Sequence, residues 1–514
     1  MRRGILTRQA ALLTGVLLLI VSGLRGEVKA DGLIYHVCDC GQGAASRCIS
    51  GDDTVPVTSP QRPWRSFTMA RQMFPKLAPG DTIAFCQGGS FVADGGSWLN
   101  SSCTAGAPCV ITDYRSAWGQ GTEGRPLIIT PRDKTAFSFA NNGLARHREG
   151  YVISNLELRG TGASGVGFFF YNDIDDVTLE HLDITGFDLG VHVAGSNPPG
   201  VGSDGSNERI TLKNSRVADN AGQGWLGSCD GCAILNNVFD NNGFKGGIFY
   251  HNIYWDGSAQ STDGRIVGNT LTRSALVDRK CQGVSLVVHG SHRNLLIADN
   301  SVSEAIGAAA ETCWGIAVDT AYAKTEGFYN LVIRGNSIRD VGSVGIGINA
   351  CVDCRVEGNK VSLGQPFSAT AIAVPDRQRG VEDLPMTRVS VRDNSISFTN
   401  SAAQTAIILG GEGSGHVSAG NVITYAGISP EWSCFNYPLP LASYRIIDTN
   451  SCSFPQSPSG HWEKSHGPLT NWRAYSGFDG NSMQTDTGND QGAQVGGQVK
   501  HELFQFQPAT LIRQ

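Results

Sequence analysis

An all-β solenoid is the fold class this 514-residue chain predicts, on three observations. Glycine is abundant, with 65 residues spread along the chain, and glycine is costly inside helices. Short apolar runs are separated by Gly, Asn and Asp turns rather than set at helical spacing. Between Gly150 and Gly427 one unit recurs: AILNNVFDN, RIVGNTLTR, LLIADNSVS, LVIRGNSIR, CRVEGNKVS and VSVRDNSIS. Its asparagines fall at Asn237, Asn269, Asn300, Asn336, Asn359 and Asn394, with steps from 23 (Asn336 to Asn359) to 36 (Asn300 to Asn336). Weaker copies before and after bring the expectation to roughly ten coils of a right-handed parallel β-helix.

The elements follow in chain order. Residues 1–30 carry a basic start (Arg2, Arg3, Arg8), an apolar run from Ala10 to Leu24 and the small-residue exit Val28-Lys29-Ala30. That pattern predicts a secretory signal peptide cut near Ala30, and a product in the periplasm or medium. No second apolar run is long enough to suggest a membrane span. Residues 31–126 read as an N-terminal capping unit with the first coils. Within it Ser66 is placed to N-cap a short helix presenting Phe67, Ala70, Met73 and Phe74 on one side, and Pro79-Gly80-Asp81 turns the chain into a strand from Thr82. Residues 127–427 form the coil core, 428–485 a C-terminal cap and 486–514 a flexible tail.

In the core, the recurrent Asn is expected at the turns, tolerating left-handed backbone and bonding its counterparts in a ladder. A second strand recurs as GVHVAG, HNIYWDG, VSLVVHG, GIAVDT, GIGINA and AIAVPD. Overlaying these sets Val191, Ile253, Leu286, Ile316, Ile346 and Ile372 in one inward column. The next inward column is Val193, Trp255, Val288, Val318, Ile348 and Val374. Strict alternation would also turn His251 inward and Asn252 outward. The outward column then reads Asp256, His289, Asp319 and Asn349 on successive coils about 4.8 Å apart. Beside it run His192, Tyr254, Val287, Ala317 and Gly347, so small residues leave room for a groove with Tyr254 at one end.

Fourteen cysteines in an exported chain favour disulfides over thiolate metal sites. The expected bonds are Cys229–Cys232, Cys351–Cys354 and Cys434–Cys452, then Cys103–Cys109 and Cys281–Cys313. Cys38, Cys40, Cys48 and Cys86 remain open among three arrangements. The last of the expected bonds conflicts with the strand overlay unless a turn or bulge lies between Cys281 and Leu286. A net charge of −6 and a pI near 6.0 give no basic footprint for nucleic acid.

Gly51-Asp52-Asp53, Pro63-Trp64-Arg65-Ser66, Pro79-Gly80-Asp81-Thr82-Ile83 and the tail LTNWRAYSGFDGNS resemble the capping segments of secreted right-handed parallel β-helix proteins, polysaccharide lyases prominent among them. The stretch QGVSLVVHGSHRNLLIADNSV is similar to the segment of the chondroitinase-B and alginate-lyase family that holds an Arg-His-Gly triplet. His289 and Gly290 match it, Val288 replaces its arginine, and the family's upstream lysine has no match near Asp256.

The resemblance implies a secreted, monomeric lyase acting on an acidic polysaccharide by β-elimination. Such chemistry needs a cation for the uronate carboxylate, a base for the α-proton and a proton donor. Catalytic candidates are His289, Lys280, Arg279 and Tyr254; His192, His251, Asp256, Asp319 and Asn349 are candidates for substrate binding. Asp256 and Asp319 are also candidate ligands for Ca²⁺, a hard ion that takes oxygen. A uronate epimerase would share this apparatus. Hydrolysis is the other enzymatic alternative, although the paired-aspartate, Gly-His-Gly and Arg-Ile-Lys pattern of polygalacturonase-type hydrolases is absent. A non-catalytic glycan-binding solenoid remains open as well.

Overall fold

Each repeat supplies three short strands because a turn residue interrupts every apolar pair before a longer strand can form. In one coil these are Arg265–Val267, Thr270–Thr272 and Leu286–Arg293. Equivalent strands of successive coils pair in parallel and in register, giving three sheets of 14 strands each. The computed structural model describes residues 32–140, 149–195, 206–320, 325–427, 432–454 and 460–486. The architecture is the parallel β-helix expected from the repeat. The signal peptide expected over 1–30 and all but the first residue of the tail expected over 486–514 lie outside the described residues; among the described residues no helix is long and apolar enough to cross a membrane.

Between Leu127 and Gly427 the second sheet stacks eleven strands, close to the roughly ten coils expected there, and stacking continues on both sides. The first sheet begins at Ile34–Val37 and the second ends at Met483–Asp486, so both terminal segments join the coil. The N-terminal end is closed by the helix Phe67–Met73, where Ser66 accepts a hydrogen bond from the Met69 amide at 3.1 Å, as its capping role required. Phe67 and Phe74 pack edge-on against the buried Trp98 and so cover the open core. The second helix, Leu469–Ser476, stops at Gly477, which takes the left-handed conformation.

The corner between the first and second sheets holds the asparagine ladder. Asn237, Asn269, Asn300, Asn336, Asn359, Asn394, Asn421 and Asn450 are all 1% exposed or less. From Asn269 onward each side-chain oxygen accepts from the backbone and the side-chain amide of the previous rung, as Asn300 does from Asn269, while the oxygen of Asn237 accepts from the backbone of Ser215. One detail of the expectation is corrected. The left-handed residue is the one before the ladder Asn: Gly268, Asp299, Gly335, Gly358, Asp393 and Gly420 have φ between 54° and 72°. The ladder Asn needs its amide, not its backbone tolerance. Asn300→Ala would strand the amides of Asn269, and a loss of about 2–3 kcal/mol is expected in urea titrations.

Both inward columns of the third sheet are fully buried. The register Ile253–Leu286–Ile316–Ile346–Ile372 matches the overlay. A rung was missed, however. Trp225 stands between Val191 and Ile253, and its ring stacks on that of Trp255. Alternation also fails just before the strand, which starts only at Ile253. Asn252 turns inward, bonding Asn242 and the Thr272 carbonyl, while His251 turns to the outer face.

The fourteen cysteines form seven disulfides, including all five expected bonds, and the open four pair as Cys38–Cys86 and Cys40–Cys48. A hairpin of Leu276–Val277 with Lys280–Cys281 takes up the extra residues before Leu286, so Cys281 reaches Cys313 without shifting the strand register.

Candidate active site

Outside the third sheet lies a cavity of about 530 Å³. Its floor comes from successive rungs, Tyr254 and Val287 from the small-residue column and His289 from the polar one. Its walls include His251, Phe249, Trp314 and Arg377. Phe249 is 75% exposed, on a loop that Gly243, Gly246 and Gly247 bend with φ of 89° to 108°. An exposed aromatic face over a polar floor suits the flat apolar face of a sugar ring.

The polar column continues as predicted through Asp256, His289, Asp319 and Asn349, and then one rung beyond. Pro375 occupies the next position and has no N–H to donate. The ladder bond to the Ile348 carbonyl is therefore made by Asp376, at 3.1 Å, and the one-residue bulge brings Asp376 back over Gly347. A Cβ on Gly347 would lie 2.7 Å from Asp376 Oδ2, so the glycine makes room for that carboxyl. Sequence reasoning stopped the column at Asn349 and missed both Asp376 and Arg377. The visible signal was the proline, which marks where a ladder must slip.

The side chains of Asp319 and Asp376 are wholly buried against each other. Burial first, and then the neighbouring Asp319 charge, push the Asp376 carboxyl well above the usual carboxylate range despite Arg377. Asp376 is thus the member of the pair whose neutral form burial favours. Arg377 pairs with Asp319 Oδ2 and lies over the Trp314 ring, 5.4 Å from its centroid. His289 Nδ1 sits 2.7 Å from the Asp319 carbonyl oxygen and 3.0 Å from its Oδ1. Burial lowers the His289 pKa, but the Asp319 carboxylate and carbonyl and the Glu326 charge outweigh it and raise the group above its ordinary value. The Tyr254 ring meets His289 edge-on, with centroids 5.6 Å apart.

His251 is the opposite case. It is buried beside Tyr254, with 5% of its surface exposed, and burial pushes its pKa down to about 4, so it is neutral at pH 7. Its Nδ1 faces the Val284 carbonyl at 2.8 Å and must carry the hydrogen, which leaves Nε2 as an acceptor.

The other candidates separate. Arg279 and Lys280 sit exposed at the tip of the hairpin and do not line the cavity; Arg377 is the cation that does. His192 is two rungs from Tyr254, beyond Leu226, and burial pushes its pKa down to about 4. Asn349 lines a neighbouring cavity with Arg377, and its amide donates to the Arg377 carbonyl at 2.9 Å. Asp256 flanks His289 and its Oδ1 is buried without a hydrogen bond among the described residues. Gly290, with φ of 100°, must stay glycine because a Cβ would lie 2.3 Å from the Gly257 carbonyl oxygen.

These residues do not fit calcium. Asp319 faces a guanidinium and an imidazole, and Asp256 stands two rungs away across His289. Among the described residues the one group of three close metal-ligating types is Cys281, Glu304 and Cys313, whose cysteines are bonded to each other.

No family model matches the chain. A stretch of 149 residues, 28% of this chain, is 29% identical to a lacto-N-biosidase of Bifidobacterium longum subsp. longum; it spans 8% of that protein. Solved structures similar to this chain include the following three. The Dettilon tailspike protein (gp208) is similar over 80% of this chain and 70% of its own, at 14% identity and a TM-score of 0.42. For the GH136 lacto-N-biosidase from Eubacterium ramulus the values are 88%, 67%, 12% and 0.42. For the A-module of the Azotobacter vinelandii mannuronan C-5 epimerase AlgE4 they are 79%, 91%, 14% and 0.39.

Proposed function

We propose that this protein is a carbohydrate-active enzyme that removes the α-proton of a uronate residue in an acidic glycan, with β-elimination as the outcome. One observation carries this reading: the cavity presents Tyr254, His251, His289 and Arg377, and no carboxylate lines it among the described residues. That set holds a cation and two kinds of acid–base group but lacks the two carboxylates flanking a bond that most glycoside hydrolases use.

In this scheme Arg377 pairs with the uronate carboxylate and withdraws charge from the α-carbon as the proton leaves. Asp319 holds Arg377 and His289 in place from beneath. His289, whose protonated form Asp319 favours, gives a proton to the departing glycosidic oxygen, and Tyr254, as the phenolate left after its own proton has gone to solvent, takes the α-proton. Phe249 stacks on the ring.

The raised His289 pKa sets the pH dependence. Because the acid form is the working form, kcat is expected to fall as pH rises through a value above the ordinary imidazole range. The stability from the His289–Asp319 pairing has the same sign. It is fully present below the unfolded value near 6.5 and is lost as pH rises through the folded one. Thermal melts at several pH values on wild type and His289→Gln should converge on the alkaline side.

The stretch similar to a lacto-N-biosidase favours glycoside hydrolysis as a second reading. Incubation with alginate, pectate, glucuronan and glycosaminoglycan chains separates the two. Elimination leaves an unsaturated uronate that absorbs in the ultraviolet. Reducing ends without that absorbance would support hydrolysis instead.

A further inference from the structure

The same sheet carries a second cavity, of about 580 Å³, nearer the C-terminal end. One outward column, two positions before the inward Trp225–Ile253–Leu286–Ile316 column, supplies Gln223, His251, Val284 and Trp314 to the first cavity. The same column continues through Val344, Thr370, Thr405, Ser433 and His461, and these line the second. The join is a hydrogen bond from Trp314 Nε1 to Ser343 Oγ, 2.9 Å, across the boundary between the cavities. The sheet therefore has one groove with two wide places, and Trp314 stands between them.

The chemistry of the second place is that of a sugar site. Its floor is short hydroxyl side chains, with Thr405 and Ser433 bonded to each other at 3.0 Å, and the edge of Trp432 lies beside them. At its far wall Lys464 is exposed and makes no ion pair among the described residues. That is unlike Arg209, Arg216, Arg273 and Arg388, whose heads are tied to aspartates on neighbouring coils. An unpaired ammonium over a hydroxyl floor, in line with a cavity that holds another cation, selects a chain with repeated negative charge.

We infer that the second cavity is a distal subsite that binds another acidic sugar of the same chain, with Lys464 as its carboxylate contact. This rests on the first cavity being where the glycan reacts. From Val284 to Thr405 the column climbs four rungs, about 19 Å at the parallel-strand spacing, farther than one monosaccharide reaches. The ligand that fills both is therefore an oligomer.

The test is the dependence of KM on oligomer length, measured with graded uronate oligosaccharides from the dimer upward, for wild type, Lys464→Gln and Thr405→Trp. In the wild type KM should drop once the oligomer spans both cavities. Both variants should lose that drop, raising KM for long oligomers about tenfold while leaving kcat and the values for dimers unchanged. An unchanged length dependence in both variants would overturn the subsite. Binding is followed in parallel by retardation of His289→Ala and His289→Ala/Lys464→Gln in gels containing each polymer. If no polymer is turned over but the Lys464 change abolishes retardation, the subsite stands and the elimination reading fails. If nothing in the panel is turned over or retained, both fail.

Discussion

Asp319→Asn is expected to cost the fold about 3–5 kcal/mol and to lower activity by two orders of magnitude or more. Asp319 is wholly buried and holds Arg377 through Oδ2 and His289 through Oδ1 and its carbonyl. An amide in its place leaves a guanidinium and an imidazolium facing a neutral group, and the imidazole then loses the carboxylate that keeps it charged. The neighbouring change should behave in the opposite way. Burial and the Asp319 charge raise the Asp376 pKa and so favour its neutral form, which an amide mimics. Because its folded pKa is raised, its ionisation favours the unfolded chain at every pH above the unfolded carboxylate value near 3.9. Asp376→Asn is therefore expected to be neutral or stabilising at pH 7 and to flatten the loss of stability between mild acid and neutrality. Urea titrations of the two variants across pH 4–8 check both signs.

Arg377→Ala should lower kcat/KM on a uronate polymer by about 10²–10³ and also cost stability, because the buried Asp319 carboxylate loses its guanidinium partner. Its head is the one guanidinium lining the cavity among the described residues, and 41% of the side chain remains exposed. Arg377→Lys should recover little, since an ammonium cannot at once fork onto a carboxylate and lie flat over Trp314. Lys280→Ala and Arg279→Ala, on the exposed hairpin tip, should leave turnover unchanged. The four variants assayed side by side decide which cation meets the substrate.

The coil was legible because its rules are periodic. The Asn corner and the two apolar columns repeat on nearly every rung, so a slip of one residue would have shown at once. His289, Tyr254 and Asp319 could be placed from that register alone. What escaped lies where the period breaks. The short rung at Trp225 has only GWLG to mark it. The strand before Ile253 had not yet begun at His251, so alternation gave the wrong face. Arg377 and Asp376 stand after a proline that denies the ladder its N–H, and the bulge that follows swings a loop residue into a site three rungs away. A sequence read strand by strand assigns that loop to solvent. The nearest cations in the chain, Arg279 and Lys280, then looked like the right ones, although a disulfide-bound hairpin carries them off.

Proton abstraction at the uronate α-carbon is tested most directly by running the reaction in D₂O and following the glycan by proton NMR. The scheme built on Tyr254, His289 and Arg377 predicts that the H5 signal of the reacting residue disappears, with a vinylic proton arising in its place. It predicts that Arg377→Ala suppresses the change. An H5 signal that persists through every glycosidic bond cleaved, with new reducing ends formed, would contradict it.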